Sequence, residues 1–339
     1  MSLYNEQNST AEIEEQVQID DNTVYLGAAG VLITIGVLGC FMNLTVILVI
    51  LRDTQTLLTP VNVVLLNLVI GDFFVSIIGT PFPTVSAIVG RWHWDHAGCL
   101  WYAWFMSTLG LASIGNLTVL ALERWLLVTR PMKAFTIRKA SYLVSGVWIY
   151  SLSLSIPPLC GWGSYGPEAG YLSCSVSWEV HDPSTGSDSY IAFLFFFGLV
   201  VPVALISWSY LGIITTLKKV RKRVGSRGRH EAKVTKMVAI MIIAFLISWT
   251  PYAVLALSAQ YLQVKLTTSV AILPSLLAKS SICYNPVIYA GMNTHFRSVL
   301  KKFLGFPEQI VARSSASQHT AVSGTNRAIV VKPIQIDQN

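Results

Sequence analysis

Residues 269–292 read SVAILPSLLAKSSICYNPVIYAGM, and this stretch decides the fold. It is long enough for an α-helix to cross a hydrocarbon core of ~30 Å, which takes about 20 apolar residues. Its only formal charge is Lys279, set in the middle of the run Leu276-Leu277-Ala278-Lys279-Ser280-Ser281. A charge at that depth costs roughly 2.5–3.5 kcal/mol on insertion scales and is too deep to reach either interface by snorkelling. Three offsets are open from the residues alone. Lys279 can pair with a carboxylate, it can lose its proton, since burial lowers an amine's pKa, or it can serve as a desolvated nucleophile that condenses with an aldehyde to a Schiff base.

Six more blocks of the same kind precede this one: Gly27–Leu51, Asn62–Ser86, Cys99–Thr129, Lys139–Cys160, Ser189–Leu217 and Lys233–Tyr261. The fold class is therefore an all-α membrane protein, a bundle of seven transmembrane helices over residues 24–292. Composition agrees. Of 339 residues 53% are hydrophobic and 12% charged, against roughly 25% charged in soluble domains, which excludes an ordinary water-soluble globule. The five cysteines, Cys40, Cys99, Cys160, Cys174 and Cys283, have no CxxC or CxxH spacing, so neither a zinc site nor a dithiol redox centre is expected.

Orientation follows from the loops. Arg130, Lys133 and Arg138 lie between spans three and four, and Lys218, Lys219, Arg221, Lys222, Arg223, Arg227 and Arg229 between five and six; the opposite side carries only Arg91 and Lys265. Residues 1–23 hold six acids and no Lys or Arg. The N-terminus is thus expected outside and the C-terminus in the cytoplasm, and the net charge of +7 reads mainly as a topology signal rather than a nucleic-acid footprint. The basic loop between spans five and six suits anionic membrane lipid and a cytosolic docking partner alike.

The flanking segments have their own signatures. Residues 1–23 form an outer tail in which Asn8-Ser9-Thr10 is a glycosylation acceptor; no cleavable leader is expected, because the first apolar block starts late and is long enough to span. Residues 293–304 place Phe296, Val299, Leu300, Phe303 and Leu304 at helical spacing with Arg297, Lys301 and Lys302 between, the pattern of a helix lying on the inner membrane surface. Residues 305–339 are rich in Ser, Thr, Gln and Asn, are expected to be disordered, and offer phosphate acceptors at Ser314, Ser315, Ser317, Thr320, Ser323 and Thr325.

Several other residues need an account. Glu123-Arg124-Trp125 pairs an acid and a base where span three meets the inner surface; Arg124 is also within reach of Glu231, which opens span six, so exchange of partners would couple helix movement to the inner loops. Asn285-Pro286-x-x-Tyr289 and Trp249-Thr250-Pro251 place prolines inside spans seven and six, where a neighbouring Asn can satisfy a freed carbonyl and leave a deformable point. Asp72, Asn43 and Asn285 make a polar cluster linking spans one, two and seven. Cys99 at the outer end of span three and Cys174 in the loop between spans four and five both face the oxidising side, so a disulfide is expected to tie that loop over the bundle mouth, with Glu168 of the loop hung above its centre. The other three cysteines read as small packing residues.

Together these residues resemble the rhodopsin-like G-protein-coupled receptors over residues 24–304. Asn43, Asp72, Glu123-Arg124, Trp148, Pro202, Tyr210, Trp249-x-Pro251 and Asn285-Pro286-x-x-Tyr289 each fall in the span where that family has them. A lysine six residues before the Asn-Pro pair then resembles the retinal-attachment lysine of animal opsins. The resemblance implies 11-cis retinal joined to Lys279 as a protonated Schiff base, with Tyr102, Met106, Ser107, Gly110, Trp249 and Tyr252 around it, and a receptor rather than an enzyme. Vertebrate visual pigments carry a counterion glutamate three residues after the third-span cysteine. Tyr102 stands there in this chain and is not ionised near neutral pH, which points to Glu168, the outer-loop glutamate that many invertebrate and non-visual opsins use. Such opsins are commonly bistable.

That departure, with Asn293-Thr294-His295-Phe296 after the Asn-Pro motif, resembles the non-visual ciliary group of encephalopsins, multiple-tissue opsins and insect pteropsins. Trp125 in place of a tyrosine and Ser248 in place of a cysteine bear on coupling. The resemblance further implies a plasma-membrane location, a heterotrimeric G protein of the Gi or Go type engaging Arg124, Tyr210, Tyr289 and the basic loop, and arrestin and a receptor kinase at the C-terminal tail. Two alternatives stay open: an opsin-like retinal photoisomerase, and a receptor for a diffusible ligand in which Lys279 is an ion-pair partner. A retinal-driven ion pump fits less well, because the polar residues cluster at the inner face.

Overall fold

The structure is a computed structural model that describes residues 2–133, 135–220, 226–264 and 267–303. Asn8 and the acids of residues 1–21, the basic side chains Arg221, Lys222, Arg223, Arg227 and Arg229, Lys265, Leu304 and the whole tail 305–339 with its phosphate acceptors lie outside the side chains described. The end of the bundle carrying the Cys99–Cys174 disulfide is termed outer below, and the end carrying Arg124 inner.

Seven helical columns cross the described molecule. Five of them, Asn22–Arg52, Pro60–Val89, His96–Thr129, Ser187–Lys219 and Glu231–Leu262, are long and apolar enough to span a membrane. The first belongs to a helix running Ser2–Arg52, longer than the sequence reading places it because neither Gly nor Pro interrupts residues 2–26. The fourth column is shorter, Ile137–Ser155, and gives way at Pro157 to a 3₁₀ turn, Pro157–Cys160. Cys160 therefore sits exposed at the outer end and is not a packing residue, whereas Cys40 and Cys283 are partly buried. The seventh column is Thr268–Ser280, a 3₁₀ turn Ser281–Cys283, and Tyr284–Met292. Thr294–Phe303 follows as the amphipathic helix expected at the inner surface.

Local chemistry starts these columns where they start. Thr59 accepts from Asn62 N with Pro60 at the first helical position, Asp95 accepts from Gly98 N at 2.7 Å, and Thr136 accepts from Lys139 N; each is a side-chain cap on an otherwise orphaned amide. Column two widens into a π-turn at Val75–Gly79 and column five at Phe196–Val200. The Phe197 carbonyl in the second of these accepts from Tyr150 Oη of column four at 2.6 Å. Column three is the most buried of the five long spans and packs against columns two, four, five and six.

Pro286 lacks the N–H that would bond to the Ile282 carbonyl. The residue that satisfies that carbonyl is Asn43 of column one, whose Nδ2 donates to it at 3.0 Å. The adjacent Asn285 instead donates to Asp72 Oδ2 at 2.9 Å. Asn43, Asp72 and Asn285 thus join columns one, two and seven as expected, but through two separate links. Trp148 donates to Asn67 Oδ1 at 3.0 Å, and Asn67 donates to Asn116 Oδ1 at 2.9 Å, tying columns two, three and four.

Candidate functional site

The connection between columns four and five folds back as a short antiparallel hairpin, β1 Tyr165–Pro167 with β2 Cys174–Val176, in the register Tyr165↔Val176 and Pro167↔Cys174. Cys174 is bonded to Cys99 at the head of column three, so the hairpin is pinned across the mouth of the bundle. Glu168 is the first residue of its connecting loop, where its amide donates to Ser173 O at 2.8 Å and its carbonyl accepts from Tyr171 N at 2.8 Å. This closed turn carries the carboxylate to Lys279.

The two groups are not in direct contact. Lys279 Nζ donates to Ser275 Oγ at 2.6 Å and to Ser173 Oγ at 3.3 Å. The same two hydroxyls donate to Glu168 Oε2, Ser275 at 3.0 Å and Ser173 more closely. Glu168 Oε1 accepts from Tyr252 Oη at 3.1 Å. Burial alone would push the Glu168 carboxyl pKa up; the Lys279 charge and the hydrogen bonds from Ser173, Ser275 and Tyr252 outweigh it and hold the group below its ordinary value.

Beneath the hairpin lies a cavity of about 320 Å³, within the range of small-molecule sites. Lys279, Glu168, Tyr102, Met106, Ser107, Gly110, Trp249 and Tyr252, the residues expected from sequence, all line it, among mainly aliphatic and aromatic neighbours such as Leu199 and Phe245. Gly110 makes room for Trp249: a Cβ there would lie 3.1 Å from the indole Cη2. Trp249 Nε1 donates to Ser281 Oγ at 3.2 Å, linking columns six and seven at the cavity floor. Tyr102 is buried against the rings of Phe82 and Trp92, and its hydroxyl has no partner. Ser173, Ser275 and Trp178 are the residues that the sequence reading missed. Ser275 carried a signal, four residues before Lys279 on the same helix face; Ser173 and Trp178 are placed by the hairpin alone. Among the described residues no group of His, Cys, Asp and Glu is arranged for a metal.

The family model described as 7 transmembrane receptor (rhodopsin family) matches residues 42–289. The chain belongs to the rhodopsin family of seven-transmembrane receptors. This receptor is 31% identical over 305 residues to melanopsin of Phodopus sungorus, an overlap of 85% of the chain and 64% of that protein. It is 34% identical over 292 residues to the GQ-coupled rhodopsin of Mizuhopecten yessoensis, covering 80% of the chain and 58% of that protein. The chain thus spans less than two thirds of both relatives. Rhodopsin of Sminthopsis crassicaudata is 32% identical over 299 residues, 85% of the chain and 84% of that protein. The crystal structure of squid rhodopsin superposes with a TM-score of 0.77 at 28% identity, covering 84% of the receptor and 86% of that chain.

At the inner end of the receptor, Arg124 makes a fork–fork contact with its neighbour Glu123, Nη2 donating to Oε1 at 2.7 Å and Nε to Oε2. Both side chains are buried, and Arg124 Nη1 also reaches Glu231 Oε2 at 2.9 Å. Tyr210 Oη of column five donates to Thr235 O of column six at 3.2 Å. Tyr289 is fully buried edge-on against Phe296 of the surface helix, its hydroxyl without a partner. Trp125 packs on Trp208 with ring centroids 4.4 Å apart, and Arg130 lies over its ring.

Proposed function

We propose that this receptor is an opsin, a light sensor that holds retinal covalently on Lys279 and signals to a heterotrimeric G protein. The observation that carries the reading is a lysine at mid-depth in an apolar, aromatic-walled cavity, with a half-buried carboxylate reaching it through two hydroxyls. An amine desolvated in this way is suited to condensing with an aldehyde, and the resulting buried cation needs an anion close by. Lys279 would hold the chromophore, Glu168 would balance its charge, and Tyr102, Met106, Ser107, Gly110, Trp249 and Tyr252 would shape the chamber. Retinal, when bound, supplies light absorption and a cis-to-trans change of shape.

The protein's own part is to convert a change at the cavity floor into movement of span six. Trp249 donates to Ser281 of span seven, and Pro251, two residues on, leaves the helix short of one backbone bond. Displacement of Trp249 would release that hydrogen bond and tilt span six, drawing Glu231 off Arg124 and baring the inner face with Tyr210 and Tyr289. In this reading the disulfide end is extracellular, with Asn8 as a glycan acceptor, the basic inner loop meets a Gi or Go protein, arrestin and a receptor kinase act on the tail, and the receptor lies in the plasma membrane. Tyr102 with Glu168 favours a bistable, non-visual ciliary opsin.

The test is to purify the receptor with 11-cis retinal and record spectra in the dark, after light and after a second, longer-wavelength illumination. A visible band whose photoproduct stays visible and reverts supports the bistable opsin. Bleaching to free retinal removes bistability and leaves the opsin. Absence of pigment, or normal pigment in Lys279→Ala, overturns the attachment and leaves a diffusible-ligand receptor. Light-driven nucleotide exchange on Gi, Go and Gq proteins tests the coupling and separates a signalling opsin from a photoisomerase.

A further inference from the structure

Glu168 has two carboxylate oxygens with different surroundings. Oε2 faces the two serine hydroxyls shared with Lys279, and Oε1 has one side-chain donor, Tyr252 Oη, at 3.1 Å. That hydroxyl is itself an acceptor, for Trp178 Nε1 at 3.1 Å. Trp178 comes from the same outer loop as Glu168, two residues past β2, and lines the same cavity. Its ring lies edge-on to Tyr252, with centroids 6.3 Å apart, and packs on Phe195 of span five at 5.6 Å.

A tyrosine hydroxyl has one proton and rotates to suit its neighbours. An indole N–H can only donate, so it takes one lone pair of the Tyr252 oxygen, beside Ser175 of β2 as a further side-chain partner, and the hydroxyl's one proton serves Glu168 Oε1, 3.1 Å away. Bonds in such a chain also polarise one another, so the donated bond to the carboxylate is strengthened. The loop in this way supplies both the acid and the group that fixes the acid's donor, while the donor belongs to span six.

We propose that Trp178 is a positioning residue for Glu168: its indole N–H fixes the Tyr252 hydroxyl as a donor to Oε1 and keeps the carboxylate ionised beside Lys279. The proposal rests on the reading of Glu168 as the counterion only for its consequence in a pigment; the hydrogen-bond relay is a property of the protein by itself. It also adds a hold of span six on the outer loop, one residue past Pro251, to those of Tyr252 on Glu168 and Gln260 on His181.

The test is an infrared titration of the full-length receptor without retinal, following the protonated carboxyl stretch that disappears in Glu168→Gln. In Trp178→Phe, which keeps an aromatic ring and loses the N–H, the Glu168 midpoint is expected to rise by about 0.3–1 pH unit, the size of one modest hydrogen bond. Trp178→His, which retains a ring donor, is expected to stay closer to the original midpoint, and Trp178→Phe is expected to add nothing in a Tyr252→Phe background. An unchanged midpoint in Trp178→Phe, or an equal rise with and without the Tyr252 hydroxyl, overturns the relay. With 11-cis retinal bound, the acid transition of the absorption band is expected to move in the same direction. Failure of the original receptor to form pigment would overturn the opsin reading and leave the infrared result standing.

Discussion

Lys279 and Glu168 share two hydroxyls: Ser173 and Ser275 each accept from the ammonium and donate to the carboxylate. Opposite charges withdrawn from water are tolerated when further hydrogen bonds satisfy their remaining lone pairs and protons, and here Ser173 of the loop and Ser275 of span seven each make two such bonds. Each serine is polar on both sides, so removing either leaves both charges short of a partner.

Acid should therefore weaken the outer site. The Glu168 pKa is depressed in the fold, so its ionised form stabilises the receptor above the ordinary carboxylate value of about 4.3, and this contribution is lost as the pH falls through the lower folded value. Thermal unfolding of the retinal-free receptor is expected to drop in Tm below about pH 4, and Glu168→Gln should flatten that dependence. In the pigment, Glu168→Gln should move the Schiff-base pKa down and give an ultraviolet-absorbing form at neutral pH. An unshifted visible band would place the counterion elsewhere.

At the inner end, Glu231→Gln removes the charge that holds Arg124 from span six and leaves the Glu123 contact in place. Glu231 is partly exposed, so the pair is worth only about 0.2–1 kcal/mol. Nucleotide exchange by the retinal-free receptor should rise roughly 1.5- to 5-fold. Activity equal to that of the original would show that span six is restrained by other contacts.

Asn43→Ala should leave the Ile282 carbonyl, freed by Pro286, without its donor. An unsatisfied buried acceptor costs about 1–3 kcal/mol, read as a Tm lowered by several degrees in detergent. A Tm unchanged by this substitution would mean that the carbonyl finds a second partner.

Gly110→Leu should fill the space that Trp249 now occupies, since a Cβ alone would come within 3.1 Å of the indole. The expected outcome is normal surface expression with no pigment, and for Gly110→Ala a pigment that forms more slowly. Unimpaired pigment in Gly110→Leu would separate Trp249 from the binding chamber.

The seven spans were legible because membrane crossing demands unbroken apolar runs; the ends of the second, third and seventh fall close to those read from sequence, whereas the first helix begins far earlier and the fourth stops five residues sooner. The site was legible wherever a residue type is costly in lipid, as with Lys279, Asp72 and Arg124, or closes a covalent link, as with Cys99 and Cys174. What sequence did not reveal were hydroxyls and indoles, whose presence inside a span or loop is unremarkable until the chain brings them together. Ser173 follows from the hairpin register and Trp178 from the way the loop turns back toward span six. The misassigned partner of the Pro286 kink has the same origin, since neighbours in sequence compete with residues far along the chain. Cys160 was misjudged because apolar sequence runs on through Pro157 where the helix does not.

Span six carries both Tyr252, bonded to the loop, and Glu231, bonded to Arg124, twenty-one residues apart. At 1.5 Å per residue that separation is about 32 Å. The helix is then a lever whose short arm is at the cavity: a tilt of only ~10° about the Tyr252 end sweeps Glu231 through about 5–6 Å, far beyond its 2.9 Å bond. Gearing of this kind would let a sub-ångström push at Trp249 be read as an open or shut gap at the far face.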